Sequence, residues 1–105
     1  PFEVWGPGTQ TRDFIHIEDI VGAVLAALEN DIKGPINLGW GRSTSFIQLA
    51  EMATYYAGYR TEILTRPDKP VGCMHRVANA DKMWSFYKPK ITLEEGIERA
   101  IKGRL

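Results

Sequence analysis

Arg12 stands just behind a Gly6-Pro7-Gly8 turn, where backbone crowding is low. A guanidinium there can present a planar fork of donors to the oxygens of an anion. Arg76 is a second guanidinium, carried on the stretch that follows Lys69-Pro70-Val71-Gly72. Trp5, on the other side of the glycine turn from Arg12, offers a flat indole that stacks on ring systems and donates one hydrogen bond. Lys plus Arg and Asp plus Glu both total 13, so the formal net charge is +0. Such a chain has no bulk field that draws in nucleic acid or a membrane surface, and anion binding must come from locally placed cations.

The other reactive residue types read as structural. His16 lies between Ile15 and Ile17 and reads as a satisfied strand histidine. His75 reads as loop surface, and Asp19 as the N-cap of a helix. The lone cysteine, Cys73, cannot form an internal disulfide and has no neighbour in sequence that would lower its pKa. No His/Cys/Asp/Glu grouping has metal-ligand spacing, so no metal is expected. A single thiol fits a reducing cytoplasm, no apolar run approaches the ~18 residues of a membrane span, and no basic-then-apolar leader is present. The chain opens at Pro1 in what reads as the middle of a strand, which suggests a fragment.

The elements that must position these groups follow from local patterning. At 105 residues and 44% hydrophobic the chain is expected to form one domain, 1–105, of mixed α/β (α+β-like) class. Residues 2–5 alternate as a strand and 13–17 as a second short one. Asp19 opens a helix with Ile20, Val21, Val24, Leu25 and Leu28 on one face, ended by Asn30, Asp31 and Gly34-Pro35. A brief strand is expected over 35–38. Ser45 with Gln48 forms a capping-box pattern ahead of a helix running from Phe46 to about Ala57, with Phe46, Leu49, Ala50, Ala53 and Tyr56 inward and Gly58 as its stop. Strands are expected over 61–65 and 75–78, with a short helix over 80–86. Thr92 with Glu95 caps a last helix that turns Leu93, Ile97 and Ile101 inward. The short strands leave open edges and the first helix is apolar over a wide face, so a covering partner is expected, most simply a second copy in a two-fold dimer.

Four ordered segments resemble one family. Trp5-Gly6-Pro7-Gly8-Thr9-Gln10-Thr11-Arg12-Asp13-Phe14-Ile15-His16-Ile17-Glu18-Asp19 is similar to the G-x-G-x-x-x-R-D-F-x-x-V-x-D segment of extended short-chain dehydrogenases acting on nucleotide-sugars. Asn37-Leu38-Gly39-Trp40-Gly41, followed by Ser45 and a helix, is similar to the family's N-x-G-x-G. Lys69-Pro70-Val71-Gly72 with Arg76, Asn79 and Lys82 resembles its glycine loop, arginine and short helix. Pro89 with Leu93-Glu94-Glu95-Gly96-Ile97 resembles its closing helix. Two departures stand out: Asn79 replaces the usual Asp, which implies different local capping, and Cys73-Met74-His75 makes the loop before Arg76 more apolar than the family pattern.

The resemblance implies an NAD-dependent epimerase, dehydratase or reductase, of which this chain is the C-terminal, substrate-binding part. It implies that Arg12 and Arg76 grip the diphosphate of a nucleotide-sugar, and that Trp5 lies against its nucleotide. The V-W-G form of the strand is similar to the GDP-mannose epimerase and GDP-fucose synthase branches, which points to a GDP-sugar. The family's catalytic Tyr and Lys stand four apart, and Tyr55, Tyr56, Tyr59 and Tyr87 are followed at that spacing by Tyr59, Arg60, Ile63 and Ile91. Gly39-Trp40-Gly41-Arg42-Ser43-Thr44 has Thr where a dinucleotide-binding turn needs its third Gly. The chain alone is therefore expected to hold no NAD(P) and to carry no catalytic residue. Its expected partners are a nucleotide-sugar and either a second copy or the missing cofactor domain. The alternative is a free-standing, non-catalytic oligomeric binding module derived from such an enzyme.

Overall fold

A computed structural model of the chain describes residues 1–103. In chain order the elements are β1 (Phe2–Trp5), β2 (Thr11–Arg12), α1 (Ile17–Glu29), β3 (Thr44–Ser45), α2 (Phe46–Ala57), β4 (Ile63–Arg66), β5 (His75–Arg76), α3 (Asp81–Trp84) and α4 (Leu93–Ile101). They form two small sheets. In one, β1 and β4 run parallel, with Phe2 opposite Ile63 and Trp5 opposite Arg66. In the other, β2 is central, antiparallel to β3 and parallel to β5. The class is mixed α/β, as the patterning implies.

Local chemistry fixes α2 well. Ser45 Oγ accepts the Gln48 amide at 3.1 Å and the Gln48 side chain accepts the Ser45 amide at 2.8 Å, closing a reciprocal capping box. Gly58 ends the helix with φ at 65°, a left-handed conformation that costs a glycine little. At α4, Thr92 Oγ1 caps the Glu95 amide, while the Glu95 carboxylate turns to Arg99 instead of back to the cap. Ile101, expected to face inward, is exposed in the last turn of this helix.

The start of α1 differs from the sequence reading. The helix begins at Ile17, and His16 is its N-cap, with Nδ1 accepting the Glu18 amide at 3.0 Å. Asp19 lies inside the first turn and is buried; its carboxylate accepts the Tyr87 hydroxyl and the Lys90 and Ile91 amides, tying α1 to the segment ahead of α4. Gly22 makes this approach possible, because a Cβ there would sit 2.6 Å from Tyr87 Oη. The expected strand over 13–17 is replaced by the shorter β2, since beyond Arg12 the chain leaves the ladder and Asp13 turns to bind a loop. The run 35–38 is no strand either: Ile36 and Leu38 pack on the core around Ala23, Ala80 and Met83, but among the described residues no neighbouring strand offers them a ladder.

The two faces of α1 are unlike. Ala23, on one side, is fully buried, whereas Ile17, Val21, Val24, Leu25 and Leu28 form an apolar stripe that lies open, Leu28 at 73%. An apolar stripe of that width normally faces a core. The accessible surface, 6829 Å², exceeds the roughly 5,900 Å² expected of a compact 11.8 kDa protein. The radius of gyration, 15.8 Å, exceeds the roughly 13 Å expected at this length.

Candidate functional site

The β2–β5 ladder sets Arg12 directly opposite Arg76, and Thr11 opposite His75. Neighbouring strands lie about 4.8 Å apart and paired residues point to the same face. The two guanidinium-bearing positions therefore share one face of the sheet, and Thr11 and His75 share the other. The Thr11 amide donates to the Met74 carbonyl at 2.7 Å, and Thr11 Oγ1 and His75 Nδ1 share a hydrogen bond at 3.0 Å.

The Arg12 guanidinium is braced by its surroundings. It lies over the Phe46 ring, 5.5 Å from the centroid, and Nη1 donates to the Thr11 carbonyl at 2.7 Å. Gly72 closes beside it, with φ at 67° and the place of a Cβ 3.8 Å from Arg12 Nη2. Among the described residues no carboxylate lies within ion-pair distance of Arg12 or Arg76. Three other arginines are engaged: Arg42 with Glu94 at 2.6 Å, Arg66 with Glu3 at 2.7 Å, and Arg99 with Glu95 at 2.8 Å and Glu18 at 3.3 Å, while among the described residues Arg60 shares the lack of an ion pair but has no second arginine opposite it in a ladder. The Arg42 hydrogen bond holds the Glu94 carboxyl down to about 2. Like charges at directly opposed positions of a ladder work against pairing, a cost that a shared anion removes.

Trp5 is exposed at the end of β1, with Lys69 Nζ 5.7 Å from the ring centroid. Beside it a largely apolar hollow of about 480 Å³ opens between β1 and α2, lined by Val4, Trp5, Gln10, Phe46, Ala50 and Val71 among others. Phe46 is common to this hollow and to the bracing of Arg12, although neither Arg12 nor Arg76 lines the hollow itself. Gln10 is buried, and its Nε2 donates to the Trp5 carbonyl at 2.7 Å, fixing the end of the strand. Sequence reading did not single out Lys69, Gln10 or Phe46 as site residues. Phe46 carried only a core signal as the first helical residue after Ser45, and nothing local distinguishes Lys69 or Gln10.

The Gly39–Gly41 turn does not fit the pyrophosphate of a dinucleotide cofactor. Two of its amides are already taken, with Asp13 accepting from Trp40 at 3.2 Å and from Gly41 at 2.8 Å. A Cβ at Gly39 would stand 2.6 Å from Asp13 Oδ2, so the turn is closed on the carboxylate. The next element is β3, not a helix. Among the described residues no group of three or more His, Cys, Asp or Glu is placed to hold a metal ion, and no helix is long and apolar enough to cross a membrane. Cys73 is exposed with Sγ 3.1 Å from the His75 carbonyl. Asn79 Oδ1 accepts the Asp81 amide at 3.2 Å ahead of α3.

Residues 1–39 match the model of the NAD dependent epimerase/dehydratase family. The chain is 31% identical over 102 residues to a GDP-L-fucose synthase of Sinorhizobium fredii, covering 95% of this chain and 32% of that protein. It is 37% identical over 103 residues to a putative UDP-glucose 4-epimerase of Methanocaldococcus jannaschii, covering 93% of this chain and 32% of that one. Among solved structures it superposes on the UDP-glucose 4-epimerase of Thermotoga maritima, crystallised with UDP-glucose, with a TM-score of 0.85 and 28% identity, over 96% of this chain and 33% of the other. The chain thus spans about a third of the length of the relatives it matches.

Proposed function

The chain belongs to the NAD-dependent nucleotide-sugar epimerase/dehydratase family of extended short-chain dehydrogenases, and we propose from that premise that it is the part of such an enzyme that grips the nucleotide-sugar. The observation that carries this reading is the cross-strand placement of Arg12 beside Arg76, neither with a carboxylate among the described residues. A nucleotide-sugar carries two negative charges in the middle of the molecule, and a pair of guanidiniums is the donor set that matches them. Trp5, at the rim of the adjoining hollow, is the platform for the base, and the V-W-G strand makes a GDP-sugar the first ligand to test. Holding NAD(P) and moving hydride fall, in this reading, to the portion of such enzymes that the chain does not align with. The chain alone binds and orients, and does not turn over. Its exposed lone thiol suits a reducing cytoplasm.

Calorimetric titration with GDP-mannose and UDP-glucose tests the assignment. Binding is expected with at least one of them, weakened roughly 10- to 100-fold by Arg12→Ala, the range for losing one or two charge-assisted hydrogen bonds. The absence of heat with both ligands at millimolar concentration would remove the assignment.

The open stripe of α1 and the surface excess, on the order of 900 Å² over a compact protein of this mass, support a covering partner. That partner is the cofactor-binding portion or a second copy. Sedimentation equilibrium of the chain separates them: twice the chain mass supports the second copy, a monomer the cofactor-binding portion.

A further inference from the structure

The ladder that brings Arg12 and Arg76 together is short and poorly buttressed. β2 and β5 are 2 residues each. Every residue from Gly72 to Val77 is exposed, so little apolar burial holds β5 in place. Like charges directly opposite each other across a ladder work against pairing. A slip of one residue would carry Arg76 to the other face. On that other face stands a side-chain bond that opposes the slip, between Thr11 Oγ1 and His75 Nδ1 at 3.0 Å.

We propose that His75 is a positioning residue for anion binding: its bond to Thr11 holds the register that sets Arg12 beside Arg76, and a bound diphosphate tightens the same ladder by neutralising the two guanidiniums. This rests on the nucleotide-sugar reading above and adds to it a residue that touches neither the ligand nor the arginine side chains. The ligand class is any molecule presenting a pyrophosphate group, because only the charge and its spread are read at this point. The Thr11 amide, bonded to the Met74 carbonyl at 2.7 Å, reports on the ladder directly.

The experiment compares wild type, His75→Ala and His75→Asn, the last placing a polar atom near the position of Nδ1. Each is titrated with GDP-mannose, UDP-glucose and inorganic pyrophosphate, and its thermal midpoint and Thr11 amide exchange are recorded. His75→Ala is expected to weaken binding about three- to tenfold, the range for one hydrogen bond, with little change in the thermal midpoint, because a two-residue ladder to the exposed β5 opens locally before the molecule unfolds as a whole. His75→Asn is expected to recover most of the affinity. Ligand is expected to slow Thr11 exchange in wild type and less so in His75→Ala. Wild-type binding left unchanged by His75→Ala overturns this inference and leaves the nucleotide-sugar reading standing. Equal weakening in both variants, or a fall in midpoint that tracks the loss of affinity, reduces His75 to a structural residue and overturns the inference too. No binding by wild type overturns both.

Discussion

Asp13 and Asp19 find their partners within this molecule, whereas Arg12 and Arg76 find no carboxylate among the described residues, although Arg12 and Asp13 are neighbours in the chain and both half-buried. Asp19 is 1% exposed and accepts three hydrogen bonds, from Tyr87 Oη at 2.7 Å and from the Lys90 and Ile91 amides at 3.0 Å each. Burial alone would raise its pKa, yet the two amides and the hydroxyl outweigh that and hold it below its ordinary value. Asp13 likewise takes the amides of Trp40 and Gly41. These carboxylates are satisfied by their own chain and act as knots between distant segments. The two arginines have no carboxylate counterpart among the described residues and stand opposite each other. A charge completed from within is architecture, whereas one left incomplete at the surface is available to something from outside.

The sharpest break of this contrast is at Asp19. Asp19→Ala leaves the Lys90 and Ile91 amides and the Tyr87 hydroxyl without their acceptor in a buried place. The expected loss is about 3 kcal/mol of stability, the scale for removing one partner of a buried charge-assisted network. Urea denaturation measures it. A loss under about 1 kcal/mol would mean that the carboxylate is no knot, and the division between inner and outer charges would fail at its strongest point.

How much of this was legible beforehand follows the range of each signal. The β1 strand, the α2 helix with its Ser45–Gln48 box and the Gly58 stop are local, and their residue types name them. Asp19 looked like an N-cap because Asp before an apolar run commonly is one. It is His16 that caps, and the partners of Asp19 lie some 70 positions away, where no local pattern reaches. The run 35–38 has the apolar residues of a strand, but a strand needs a neighbour and none stands beside it among the described residues. The nearness of Arg12 and Arg76 is a matter of register across 64 positions; family likeness suggested it, and spacing alone could not. The open stripe of α1 was legible as a wide apolar face, while which side of the helix the chain itself covers was not.

A smaller effect sharpens the comparison through pH. Tyr87 is pushed up to about 12, first by burial and then by its hydrogen bond to Asp19. A tyrosine in an unfolded chain titrates near 10. Its folded pKa is the higher of the two, so this contribution is full below pH 10 and is lost as pH rises from there through 12. Wild type should therefore lose stability across that window. Tyr87→Phe should start about 1 kcal/mol less stable at pH 8 and show a shallower decline. Urea midpoints measured from pH 8 to pH 12 decide it, and parallel declines in both proteins would detach Tyr87 from the Asp19 knot.

The finest test turns an outer charge into an inner one. Arg76→Glu places a carboxylate opposite Arg12 in the same register. A repelling cross-strand pair becomes an attracting one, which should raise stability by a few tenths of a kcal/mol and by no more than about 1, the range for exposed pairs. The same change should abolish binding of nucleotide-sugar, because the anion would meet a guanidinium already engaged. Arg76→Gln separates the two causes: it removes the repulsion without supplying a counter-charge, so it should fall between wild type and Arg76→Glu in stability. Opposite movement of stability and affinity is the signature of a site in which the fold tolerates repulsion for the sake of an external ligand. If Arg76→Glu destabilises the protein instead, the two side chains are not in contact range across the ladder, and Arg12 must be read without its neighbour.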